Sequence, residues 1–284
     1  MILILCASLA QAGRFDPAAP QERGAGWVYL GGGISSFSSE FWGTNEFELP
    51  ASFSIARADL IGEVGLGPHL AIGAHVPWVD STAIVKVERL CTTYGMCDDV
   101  RSFGDLRLGL RSPWQVQDWT ITGRVEVASG FAYQANIDDL GAPGDGNTDL
   151  VLGVMAGRGG QLGSTSYKVA GGVEWEQAFG RPPNAIQGGL EASWRWQNLE
   201  LGLAWTAYES LGGLSFGEAT TNDRMENDPG RFTDIDNDVQ TMAPRLSVYA
   251  GERVGVHTGA WWVFAVDSGP GDLTGANLGV STWW

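Results

Sequence analysis

Along the segment from Ala276 to Trp284, Ala276, Leu278, Val280, Thr282 and Trp284 share one face, and Asn277, Gly279, Ser281 and Trp283 share the other. Strict alternation of this kind is the mark of a β-strand with one apolar face. A strand that ends a chain exposes a row of unpaired N–H and C=O groups. Closing a barrel against the first strand removes that edge altogether. In a bilayer the closure is compulsory, because no water is present to satisfy an open edge.

The same alternation runs through the rest of the chain. Leu106, Leu108 and Leu110 oppose Asp105, Arg107, Gly109 and Arg111; Ile121, Val125 and Val127 oppose Thr120, Thr122, Arg124 and Glu126. Leu190, Ala192 and Trp194 oppose Glu191, Ser193 and Arg195, and Leu201, Leu203 and Trp205 oppose Glu200, Gly202, Ala204 and Thr206. About 12 segments have this period. The polar face carries both signs of charge, which suits water inside and lipid outside. No window approaches the roughly 18 consecutive apolar residues of a spanning helix. A chain of 284 residues with 41 Gly, 13 Trp and only 18% charged residues is also unusual for the competing fold, a soluble sandwich or propeller. The predicted fold class is all-β: a transmembrane antiparallel up-and-down β-barrel of about 12 strands.

The connections alternate in length. Phe37–Pro50, Asp80–Ser102, Gln134–Gly146 and Glu209–Asp238 read as long, whereas Gly65–His69, Ser112–Asp118, Gly159–Ser166, Asn198 with its neighbours, and Gly251–Arg253 read as short. Short periplasmic turns and longer surface loops give this parity. It predicts that Cys91, Asp139 and Asp228 lie outside the cell and that Gly67, Gln115, Asn198 and Glu252 face the periplasm. Trp78, Trp119, Trp175, Trp196, Trp262 and Trp284 fall near segment ends, as interfacial girdles do. The run 1–12, MILILCASLAQA, is apolar and ends in a small-residue Ala-Gln-Ala pattern, so it reads as a signal peptide cleaved after Ala12, although it lacks a basic start. Residues 13–284 are then the barrel.

Two resemblances sharpen this reading. The pattern Leu278, Val280, Thr282, Trp284 resembles the terminal strand of Gram-negative outer-membrane barrels, which the barrel assembly machinery recognises. The segments SFGDLRLGLR (Ser102–Arg111) and GDGNTDLVLGVMAGRG (Gly144–Gly159), with AIGAHVPWVD ahead of them, resemble the phenol meta-pathway family of outer-membrane transport proteins. That likeness implies a barrel in the bacterial outer membrane and uptake of small, often aromatic or hydrophobic, compounds. It implies no catalytic residue, and Gly104, Asp105, Gly144 and Asp145 are read through it as turn residues. The segment Gly13–Gly26 ahead of the first strand is short, which argues against a large lumen plug.

Chemical motifs are scarce. The histidines are His69, His75 and His257, without a flanking nucleophile motif. A Ser or Asp brought beside His75 or His257 would favour a barrel enzyme of the lipid hydrolase or acyltransferase type. The sequence TDIDND carries Asp234, Asp236 and Asp238 but lacks the Gly turn and distal Glu of a calcium loop, so no metal and no cofactor is assigned. A net charge of -16 argues against nucleic acid as a partner. The acidic excess lies in the loops, where divalent cations would bridge it to lipopolysaccharide.

Proposed lumen-lining residues are Arg57, Asp59, Arg107, Arg124 and Glu126, together with Glu174, Glu191, Arg195 and Arg245. Arg107, Arg124 and Glu126 fall near mid-strand and are expected at the constriction. Cys91 and Cys97, both in a predicted surface loop of an oxidising compartment, are expected to form a disulfide. The function read from the chain is passive passage of small molecules through an outer-membrane channel, possible substrates including aromatic or hydrophobic compounds. Two alternatives remain open: the barrel enzyme, and a non-conducting surface barrel held shut by charge ladders.

Overall fold

The computed structural model describes residues 15–19, 22–42, 45–85, 100–130, 148–180, 183–213 and 238–284. Among them the strands are β1 (Gly26–Trp42), β2 (Asn45–Gly67), β3 (Leu70–Val85), β4 (Val100–Phe103), β5 (Leu106–Val116), β6 (Trp119–Ser129) and β7 (Thr148–Leu162). The remainder are β8 (Thr165–Ala178), β9 (Ala185–Trp196), β10 (Leu199–Ser210), β11 (Asp238–Ala250), β12 (Val254–Pro270) and β13 (Thr274–Trp283). They form one antiparallel sheet. β1 pairs with β2 on one side and with β13 on the other, from Trp27↔Trp283 to Ser36↔Thr274, so the sheet closes on itself. β4 and β5 both pair with β3 and together make a single stave, which gives a closed barrel of 12 staves.

The stave breaks for a local reason. Trp78 pairs with Phe103 and His75 with Arg107, so Gly104–Leu106 oppose only Val76 and Pro77. That is one extra residue, a bulge, set where proline has no N–H to give to the ladder. Gly104 still donates to the Pro77 carbonyl at 3.0 Å.

Alternation decides which face meets lipid. Leu30, Leu108, Leu190, Leu201 and Leu278 point outward and are 52–63% exposed. At the alternate positions of the staves Arg107, Glu126 and Ser247 point inward and are buried. An apolar outer belt on a closed wall is stable in lipid and not in water. Strands such as β9 and β10, with 12 residues each, rise roughly 25–30 Å when tilted about 40°, the height of a bilayer's apolar band. Trp119 and Trp196 at one rim, and Trp78 and Trp262 at the other, all face outward.

Four of the five connections at the end near Gly26 are two-residue turns: Pro68–His69, Gln117–Asp118, Gly163–Ser164 and Gln197–Asn198. The fifth is Gly251–Arg253. Gly163 and Gly251 adopt left-handed φ values of 63° and 70°, and Gln117 and Gln197 do so at 56° and 52°. The turn expected around Gln115 therefore falls two residues later, and β7 and β8 run further into Gly159–Ser166 than the sequence indicated. Phe37–Pro50, read from its polar composition as a long loop, is mostly strand: β1 and β2 pair as far as Trp42↔Asn45. Phe37 stacks on Phe53 inside the barrel, ring centroids 4.6 Å apart, which continues the alternation above the belt. Cys91, Cys97, Asp139, Asp145, Asp228, Asp234, Asp236 and the segment 1–14 lie outside the described residues; Asp238 begins β11 and accepts a hydrogen bond from the Ser210 N–H at 3.2 Å.

Candidate functional site: a two-sided lumen

Inward positions of the staves build a cavity of about 680 Å³ with two unlike walls. The first is a ladder of charges. On β2 and β3, Asp59 accepts hydrogen bonds from the Arg57 Nε and from His75 Nε2, both at 2.7 Å. On β5 and β6, Arg107 bonds Glu126 at 3.1 Å, and Arg124 bonds Glu126 as well as Glu174 of β8, the latter at 2.6 Å. Arg111 reaches Glu63 at 3.0 Å. Across the barrel Arg245 of β11 bonds Glu200 of β10 at 3.0 Å, and the Tyr249 hydroxyl donates to the other Glu200 oxygen at 3.1 Å.

The second wall, on β1, β12 and β13, is aromatic. It is flat because glycines lie beneath the rings. A Cβ on Gly31 or Gly279 would fall 2.0 or 2.3 Å from the Tyr29 side chain, and one on Gly275 would fall 2.5 Å from Trp261. Only residues without a side chain permit rings to lie this close to the sheet. His257 is bracketed by two hydroxyls, Ser247 at 2.9 Å from Nδ1 and Ser281 at 2.5 Å from Nε2.

A third component comes from ahead of β1. Residues 15–19 form a short strap inside the lumen, against the strands β5 to β9. The Phe15 N–H donates to Glu191 at 2.9 Å, Thr122 donates to the Pro17 carbonyl at 2.6 Å, and Asp16 is held by Lys168 through its carboxylate and by Arg111 through its carbonyl. These five residues occupy lumen space.

Each residue proposed from the sequence can now be located. Arg57, Asp59, Arg107, Arg124, Glu126, Glu191 and Arg245 line the cavity. Glu174 is buried behind Arg124. Arg195 sits nearer the rim, donating from Nε to the Gln197 carbonyl at 3.0 Å with its guanidinium 4.1 Å from the Tyr249 ring centre. Sequence reasoning missed the strap and the aromatic wall. The second had a signal, inward glycines two residues from inward aromatics, as in Tyr29-Leu30-Gly31 and Gly255-Val256-His257.

The arrangement bears on catalysis. The structure sets Asp59 beside His75 and serines beside His257, the contacts a barrel enzyme would need. They are divided between two histidines: both nitrogens of His257 meet hydroxyls, leaving no place for an orienting carboxylate. Ser281 also pairs on both flanks, with Tyr29 and Gly255, so its backbone is committed to the ladder and not to an oxyanion hole.

No family model matches the chain, and no curated protein matches it. Its fold matches that of solved outer-membrane barrels. A COG4313 outer membrane channel from Pseudomonas putida F1 superposes with a TM-score of 0.70 at 12% identity, over 96% of this chain and 99% of that one. The β domain of the Bordetella autotransporter BrkA gives 0.51 at 9% identity, over 93% and 100%, and the KdgM porin in complex with oligogalacturonate gives 0.50 at 6%, over 90% and 98%. The class is thus the bacterial outer-membrane β-barrel, and the outer membrane is where its apolar belt belongs. At these identities the likeness establishes the fold, which hosts more than one activity.

Proposed function

We propose that this barrel is a passive channel for small molecules, with aromatic or hydrophobic compounds among its substrates. The observation that carries the reading is the lumen itself: a cavity of about 680 Å³ lined by six basic and six acidic side chains along most of its wall and by aromatic rings, tilted or edge-on to one another, along the rest. Balanced charge keeps the path wetted without a strong preference for either sign of ion, while the ring-lined wall offers apolar solutes a surface to slide along. The resemblance of Ser102–Arg111 and Gly144–Gly159 to the phenol meta-pathway family supports the same substrate class. In this reading the surface loops bind lipopolysaccharide through divalent cations, and Leu278, Val280, Thr282 and Trp284 are the assembly signal.

Planar-bilayer recording and liposome swelling test it. Channel activity predicts measurable ion conductance and uptake of small neutral and aromatic solutes. A complete lack of both would leave the non-conducting surface barrel, with its ion pairs serving only to hold the staves together.

A further inference from the structure

Phe15 and Asp16 place a phenyl ring and a carboxylate side by side inside the lumen, each in a seat that the barrel wall supplies. The ring is 1% exposed. Its slot lies over Gly172 and Gly189, which pair directly across β8 and β9. A Cβ on Gly189 would sit 2.3 Å from the ring, and one on Gly172 would sit 3.0 Å from the ring and 2.7 Å from Met155. The slot is therefore flat, apolar and one ring thick.

The polar half of the seat is made of donors. Lys168 meets the Asp16 carboxylate, Arg111 donates to the Asp16 carbonyl, and the wholly buried Thr122 donates to the Pro17 carbonyl at 2.6 Å. All three donate to oxygens of the strap. Only Glu191 acts in the opposite sense, accepting the Phe15 N–H. A buried donor that loses its acceptor is unfavourable until another oxygen takes its place. Withdrawal of the strap would leave an aromatic slot next to the orphaned, wholly buried Thr122 hydroxyl, the part-exposed Lys168 ammonium, and the Arg111 guanidinium, which keeps Glu63 but loses the Asp16 carbonyl.

We propose that the seat of Phe15 and Asp16 is a binding subsite for small aromatic carboxylic acids, with the strap as its built-in competitor. The inference rests on the channel reading and names a substrate class for it. A neutral aromatic fills the slot but brings no charge to Lys168. A simple carboxylate pairs with Lys168 but leaves the slot empty. An aromatic acid satisfies both, as the strap does. Competition sets the apparent affinity, which is the intrinsic affinity multiplied by the fraction of time the strap leaves the seat open.

The test uses the full-length barrel in detergent, with phenylacetate, phenol and acetate titrated in parallel by calorimetry. The variant Phe15→Ala/Asp16→Asn weakens the competitor and is expected to bind phenylacetate at least about tenfold more tightly than the parent. Lys168→Met in that background should reverse the gain for phenylacetate and leave phenol unchanged. Unaltered gel migration of the unheated barrel certifies that each variant is folded. Equal affinity for phenol, acetate and phenylacetate, or no gain on weakening the strap, would overturn the proposal. Conductance and swelling with neutral solutes report on the channel reading separately, so a barrel that conducts but does not select phenylacetate refutes the subsite alone.

Discussion

Arg111 and Arg124 stand directly opposite each other across the β5–β6 ladder, two guanidinium groups on the same inner face. Like charges so placed repel, and they are held together by acids: Glu63 of β2 for Arg111, and Glu126 of the same strand with Glu174 of β8 for Arg124. Glu174→Gln removes one of these acids from a fully buried position. It should destabilise the barrel by about 3 kcal/mol, since it leaves a buried charge partly uncompensated. Urea unfolding in detergent measures this, and an unchanged midpoint would contradict it. Arg124→Gln should move the reversal potential in a salt gradient toward cation selectivity.

Tyr29 rests on Gly31 and Gly279, and the wall stays flat only while both positions lack a side chain. Gly279→Ala should tip the ring into the lumen and lower single-channel conductance. Adding Tyr29→Ala to that variant should restore conductance to the parent level or above. If the single variant conducts like the parent, the ring does not border the path.

Asp272, in the turn between β12 and β13, accepts hydrogen bonds from the Ser38 and Ser39 N–H groups and from the Ser38 hydroxyl. Burial pushes its carboxyl up, but these bonds, those from Ser38 foremost, outweigh burial and hold it below the usual carboxylate range. A depressed folded value means that the stabilisation is complete above the ordinary carboxylate pKa and is lost as pH falls through the lower folded one. The difference in thermal midpoint between the parent and Asp272→Asn should be largest near neutrality and should fade below about pH 4.

Gln117 and Gln197 adopt left-handed backbone conformations that glycine takes freely. Gln197→Gly should therefore stabilise the barrel by about 1 kcal/mol, and it retains the carbonyl to which Arg195 donates. A lower thermal midpoint for the variant would contradict this account of the turn.

Two expectations concern residues outside the described ones. Cys91 and Cys97 should resist maleimide until reduced, and losing their bridge should cost the barrel no more than roughly 2 to 3 kcal/mol. Intact-mass measurement of protein recovered from the outer membrane should give a chain that starts at Gly13. Labelling without reduction would rule out the bridge, and a retained leader would rule out cleavage after Ala12.

The staves were legible because lipid and water impose a contrast at every second residue, as Leu106, Leu108 and Leu110 show against Arg107 and Arg111. Where that contrast ends, so does the signal. Above the apolar band both faces of a strand meet polar surroundings, which is why the paired stretch Ser39–Trp42 with Asn45–Glu48 reads as a loop. The charged half of the lumen could be placed by parity alone. Its pairing could not, because Arg124 bonds Glu174 across an intervening strand, a relation set by barrel curvature and not by spacing in the chain. Phe15 and Asp16 have no periodicity to betray them: their seat is assembled from strands β5 to β9.

The strap also bears on how the barrel is closed. The seam between β1 and β13 joins the two ends of the sheet, so its formation closes nearly the longest loop the chain can make. Contacts of that range are slow to form, since chain entropy is lost before they return any stabilisation. Once Phe15 is bonded to Glu191, the start of β1 is already fastened to β9, and the loop left to close is roughly 2.5-fold shorter, worth about 0.8 kcal/mol. The peptide that narrows the finished lumen thus also serves as a basting stitch, holding the first hem near the last until the seam is sewn.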